Sequence, residues 1–207
     1  MRILLTAFEP FGGSDQNPSL EVVRAIDGSL PGVDTVVLPV VTGTAPGSAW
    51  ATMLPVLSAS WSCIVHLGES AKAEAIMVER VAVNLRDAAI ADNQGHRTID
   101  EPVVEGGPAA HFATLPTREL VAASVQARTT AALSLSAGSF LCNETMYRTL
   151  HHLHQRRDRA QAGFIHLPQL PEQAAIRGGP SMDLHRTLHG VRAMLRRLGD
   201  GPTLGRA

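Results

Sequence analysis

Apolar residues recur along the chain with two different periods, and the two alternate. RILLTAF (2–8), SCIVHLG (62–68) and GFIHLP (163–168) are near-continuous apolar runs, the pattern of strands buried on both faces. TVVLPVV (35–41) is a β-branched run broken by a proline, which suits a strand near a sheet edge. A further strand is expected near 131–136, and EAIMVERVAVNL (74–85) reads as extended. Helical segments lie between them. Asn17-Pro18 opens one that runs to Ile26, because asparagine caps well and proline suits the first helical position; Asp27-Gly28 stops it. Residues 47–58 and 117–127 also read as helices. In the helix opened by Cys142, residues Met146, Leu150 and Leu153 recur at i, i+4, i+7 and mark its buried face. Leu184, Leu188, Val191, Leu195 and Leu198 repeat at the same spacing, with Gly199 as the expected C-cap.

The stretch 86–110 is rich in Gly, Pro, Asp and Asn and reads as a long ordered loop or hairpin, while 200–207 reads as a loose tail. Strands alternating with helices, without internal repeat or linker, predict an α/β chain. The expected form is a single three-layer α/β/α domain over residues 1–199 with a central, largely parallel twisted sheet. In such folds reactive groups collect beyond the carboxyl ends of the strands.

Composition adds exclusions. The 207 residues are 44% hydrophobic and 18% charged, with a net charge of -1, as in an ordinary globular protein. Basic residues are scattered apart from the Arg156-Arg157 and Arg196-Arg197 pairs, so no nucleic-acid partner is expected. The apolar start is too short for a signal peptide, and no run approaches the ~18 apolar residues of a membrane span. Two cysteines make no disulfide framework, which points to a reducing, cytoplasmic setting.

Three side chains fall in suggestive places. Cys142 follows a strand and starts a helix, where free backbone N–H groups and the helix dipole favour negative charge. Helix starts and neighbouring imidazoles both lower thiol pKa values, and the same N–H groups suit an oxyanion. Cys63, inside the apolar run 62–68, reads as packing. His166 ends a buried strand just before Pro168 turns the chain out of the sheet. Glu79 is a carboxylate in an apolar run and needs a partner; adjacent Arg80 serves only if the backbone bends. A cysteine and histidine oriented by a carboxylate would form a nucleophilic triad. His151, His152 and His154 fall on several faces of one helix without companion ligands, so they read as solvated surface and no metal is expected. Of the five phenylalanines, Phe8, Phe11, Phe140 and Phe164 lie in these segments; Phe11, beside Gly12-Gly13, suggests an apolar wall for a small ligand.

AFEPFGGSDQNPS, ERVAVN, ADNQGHRTIDEPVVEGGPAAHF, SAGSFLCN and AGFIHLPQLPEQ, in this order, resemble the pyroglutamyl peptidase I family of cysteine peptidases. The resemblance runs from about residue 2 to the final helix. It implies removal of an N-terminal pyroglutamyl (5-oxoproline) residue, an α/β/α homo-oligomer (tetramer or dimer), and no metal or cofactor. It implies Cys142 as nucleophile, His166 as base and then acid, and Glu79 as the group orienting the imidazole. Phe8, Phe11, Asn17 and Ile90 match positions that surround the pyroglutamyl ring. Two positions depart from the family pattern. Glu69 stands where relatives commonly have glutamine, and Ala89 where they have arginine, with Arg86 as a substitute only if the loop differs. If Glu69 faces the ring, a protonated carboxyl would both donate and accept there. Two other readings stay open: a thiol hydrolase for another small lactam or N-acyl amide, and a catalytically weak ligand-binding relative.

Overall fold

The computed structural model describes residues 1–200. Its centre is a six-stranded sheet in the order β2-β1-β3-β8-β4-β7. The strands are β1 (Ile3–Phe8), β2 (Val33–Leu38), β3 (Cys63–Ser70), β4 (Ile76–Glu79), β7 (Ala131–Ser134) and β8 (Gln161–Pro168). All neighbours pair in parallel except β4 and β8, which are antiparallel with Met77 opposite His166. The α/β sandwich with a largely parallel sheet is therefore as expected. The proline-broken run ends as strand β2 at Leu38, on the sheet edge, since Pro39 cannot donate to a ladder.

Side-chain alternation divides the core in two. Leu5, Val65, Leu67 and Ile165 face helices α1 (Pro18–Ile26), α3 (Thr117–Gln126) and α6 (Leu184–Gly199) through Val22, Val23, Leu120, Val191 and Leu195. Leu4, Ile64, Ala162 and Phe164 face α2 (Ala49–Val56) and α4 (Leu141–Arg156) through Met53, Met146, Leu150 and Leu153. The periodic residues of α4 are buried, as are Val191, Leu195 and Leu198 of α6, while Leu184 and Leu188 are half-buried against the same core. Asn17 caps α1, its Oδ1 accepting from Ser19 N at 3.0 Å, with Pro18 in the first turn.

Some local expectations change. Gly199 is the last helical residue of α6 and Asp200 the cap, so the glycine is not the C-cap. Residues 74–85 split into β4 and β5 (Val81–Val83), and β5 pairs with β6 (Ala110–Phe112), the closing strand of the long loop, in a separate two-stranded ribbon. A seven-residue helix, α5 (Pro171–Arg177), follows β8 and had no clear apolar period to announce it. The expected loose tail lies, apart from Asp200, outside the described residues.

The long loop is tied down by its polar side chains. Asp92 accepts from Thr42 N, Gln94 N and His96 N, Arg86 pairs with Glu101 at 2.9 Å, and Asn93 Nδ2 donates to Pro10 O. The Asp92 carboxyl sits below its ordinary pKa; burial alone would raise it, but the hydrogen bonds prevail. No helix among the described residues is long and apolar enough to cross a membrane.

Candidate active site

Phe8, Glu69 and His166 lie at or near the carboxyl ends of β1, β3 and β8, and Cys142 is the second residue of α4. Phe140, the N-cap of α4, is extended and provides no side-chain cap, so the first-turn N–H groups have no side-chain acceptor at the cap. Asn143, fully buried, fixes that helix start: its Oδ1 accepts from Val83 N at 2.8 Å, and its Nδ2 donates to Val83 O and Leu85 O, both at 2.9 Å.

His166 and Glu79 meet across the antiparallel β8–β4 pair. His166 Nδ1 lies 2.8 Å from Glu79 Oε1, with both side chains buried. Glu79 therefore turns to His166 and not to Arg80. Its other oxygen is buried without a partner among the described residues, so the imidazole is what compensates this carboxylate. With Nδ1 engaged by Glu79, Nε2 is the ring nitrogen left for the Cys142 sulfur, which acts on the imidazole. Burial alone would lower the His166 pKa. The charge and hydrogen bond of Cys142, together with Glu79, outweigh it and raise the pKa to about 9.

Close packing sets the line of these groups. Phe164 lies between Phe8, on which it stacks, and His166, against which it is tilted, with centroids 6.2 Å and 4.8 Å away. A Cβ on Gly68 would lie 2.7 Å from Phe164 Cζ and 3.0 Å from Cys142 Sγ, so only glycine lets the sulfur approach β3. Beneath, His66 bridges Thr6 at 2.7 Å and Thr149 at 3.0 Å, joining β1, β3 and α4. Burial pushes its pKa down to about 3, so it stays neutral. Cys63, by contrast, is buried and its thiol is pushed up to about 11 by burial, which keeps it protonated and inert at neutral pH.

Beside Cys142 is a small cavity walled by Phe8, Phe11, Val40, Phe140 and Leu141, with Asn17 and Glu69 at its polar side. The left-handed pair Gly12-Gly13 makes the turn that presents Phe11. Asn17 is spent on structure as well: besides capping α1 it donates to Glu9 O at 3.0 Å. Glu69 lines the cavity, and both of its oxygens are already engaged. Its Oε1 accepts from Arg177 Nη1 at 2.6 Å and its Oε2 from Gln173 Nε2 at 2.9 Å, so it is an ion-paired carboxylate and presents only acceptors. Ile90 is 44% exposed on the loop and outside the lining of this cavity. Arg86 is engaged by Glu101 and Pro102 O and lies 4.0 Å from Glu144. It does not replace the arginine missing at Ala89. The long loop contributes no residue to the cavity and instead braces the Phe11 turn through Asn93.

The sequence profile described as pyroglutamyl peptidase matches residues 1–198. The chain belongs to the pyroglutamyl peptidase family. It is 43% identical over 198 residues to the pyrrolidone-carboxylate peptidase of Vibrio vulnificus (strain CMCP6), covering 94% of this chain and 91% of that protein. The crystal structure of the pyrrolidone carboxyl peptidase of Fervidobacterium islandicum AW-1 superposes with a TM-score of 0.89 at 31% identity, covering 97% of this chain and 99% of the other. Pyroglutamyl peptidase I of Bacillus amyloliquefaciens gives 0.87 at 31% identity, over 93% and 94% of the two chains.

Gly68, Asn143, Gln173 and Arg177 were not singled out by sequence reasoning. Gly68 carried one signal, a glycine inside an apolar strand, which marks close approach. Among the histidines of α4, His154 is exposed as expected, but His151 and His152 are half-buried, and His151 Nδ1 lies 3.1 Å from Nε2 of His111 on β6. Among the described residues no group of three or more His, Cys, Asp or Glu is arranged to hold a metal ion.

Proposed function

We propose that this chain is a cysteine peptidase that removes the N-terminal pyroglutamyl residue of peptides through a thioester on Cys142. The observation that carries the reading is the chain of contacts from Cys142 to buried His166 to buried Glu79, beside a cavity walled by phenylalanines. The Cys142 sulfur attacks the pyroglutamyl carbonyl, forming the C–S bond and sending the π electrons to oxygen. The first-turn N–H groups of α4, which have no side-chain acceptor at the cap, receive that oxyanion. Collapse breaks the C–N bond, and the leaving nitrogen takes its proton from His166. His166 then accepts a proton from water, which attacks the thioester and releases pyroglutamate and the thiolate. Glu79 holds the imidazole in the tautomer this needs.

In this reading Phe8 and Phe11 wall the lactam, and Glu69 accepts from its ring N–H. Asn17 fixes the turn beneath it, and Ile90, on the strength of the family resemblance, is an outer contact. The cavity now measures about 20 Å³, so a five-membered ring enters only as Phe11 and Phe140, both half-buried, give way. A ring without a charged amine suits such walls, whereas a free N-terminal amine would lose its hydration there. A reactive free thiol fits a reducing cytoplasm. The homo-oligomer rests on the family resemblance, and sedimentation of the purified chain checks it. Hydrolysis of pyroglutamyl p-nitroanilide beside its prolyl and glutaminyl analogues tests the substrate. Turnover of the pyroglutamyl compound alone is expected, and equal turnover of all three would favour a broader amide hydrolase.

A further inference from the structure

Two cavities adjoin the Cys142–His166 pair, and they differ in kind. The small one holds Cys142 among phenylalanines. The other, about 810 Å³, is lined by His166 and Glu79, and Glu69 is the one residue common to both linings. The topology explains the larger one. Ile76, Val78, Ala131 and Leu133 point from β4 and β7 into the core beneath α3 and α6. Met77 and Ala132, which alternate with them, point to the opposite face, where the apolar layer under α2 and α4 takes no residue from either strand. A groove with a floor of Met77 and Ala132 is left open beside His166.

From this placement we infer that the groove receives the leaving peptide, the residues that follow the scissile bond, so that the site is built for peptides over small amides. The inference rests on the peptidase reading above. In acyl transfer the acyl group stays on the sulfur while the amine departs with a proton from His166. Whatever is attached to that nitrogen must therefore lie on the side of His166. The groove's volume falls within the ~300–1,000 Å³ usual for ligand sites. The carboxylates deep in it are engaged, Glu79 by His166 and Glu69 by Arg177. At the rim, exposed Lys72 and Glu74 make no ion pair among the described residues and are free to meet side chains of the peptide.

The test compares the full-length protein on pyroglutamyl methylamide, which reaches no further than the scissile bond, and on a pyroglutamyl tetrapeptide. Wild type should favour the tetrapeptide in kcat/KM, and Ala132→Phe, filling the floor, should lower the tetrapeptide-to-methylamide ratio about tenfold. Lys72→Glu, on an exposed loop and so tolerant of change, should shift preference between Asp- and Lys-containing tetrapeptides about threefold toward Lys. An unchanged ratio in Ala132→Phe together with unchanged charge preference in Lys72→Glu overturns the groove while leaving the peptidase reading intact. A change in sedimentation with both substrates slowed equally would make the groove an interface between copies, and also overturns it. A wild type that cleaves neither substrate refutes the peptidase reading itself.

Discussion

At Gly68 the backbone of β3 passes so close to Phe164 and Cys142 that a side chain has nowhere to go. Gly68→Ala is therefore expected to displace the sulfur or the ring. Overpacking of this kind costs about 1–3 kcal/mol, and misplacing a nucleophile by about 1 Å can cost ~10²-fold in rate. Thermal melts and kcat measured together check it: kcat should fall far more than stability accounts for. His166 carries a second testable property. NMR titration should find its pKa near 9, and Cys142→Ala, which removes the charge that raises it most, should bring it down. Its folded pKa lies above the ~6.5 of an unfolded chain. Its stabilisation is thus complete below about pH 6.5 and is lost as pH rises toward 9. His66 works the other way. Depressed to about 3, it stabilises the fold above about pH 6.5, a contribution lost progressively as pH falls below that toward 3.

Short elements bring the working groups together, and they are where sequence reasoning fell short. Helix α5 has seven residues, too few to show a period, yet it carries Gln173 and Arg177 to both oxygens of Glu69. The carboxylate was visible in the sequence; its partner, 108 residues away, was not. Arg177→Met should leave Glu69 buried without its countercharge, lowering the melting temperature and raising KM for pyroglutamyl substrates. Loss of one partner of a buried pair costs up to ~3–5 kcal/mol, less here because Arg177 is partly exposed. Adding Glu69→Gln should recover most of both losses, because an amide needs no countercharge and supplies a donor for the ring carbonyl. If the double variant is as impaired as Arg177→Met, the arginine serves only to hold α5. The long loop teaches a related lesson. Its composition announced a loop, but only the structure shows that Asp92 and Asn93 tie it to Thr42 and Pro10 instead of lining the cavity.

Across the whole molecule, the long apolar runs and periodic helices were readable because burial on both faces of a sheet leaves a strong pattern. Cys142, His166 and Glu79 could be picked out one by one as residues in unusual places. Their convergence could not, because it depends on β4 running antiparallel beside β8, which brings residue 79 to residue 166. The family resemblance implied that connection, and His166 and Glu79 meet at 2.8 Å. The mechanism requires that Cys142, and not Cys63, does the chemistry. Steady-state hydrolysis of pyroglutamyl p-nitroanilide by Cys142→Ala and Cys63→Ala, each checked for native fold by circular dichroism, decides it. Cys142→Ala should retain no measurable turnover, while Cys63→Ala should keep near-wild-type kcat/KM and lose only stability, Cys63 being a buried packing residue. A folded Cys142→Ala protein that still turns over the substrate would contradict the mechanism.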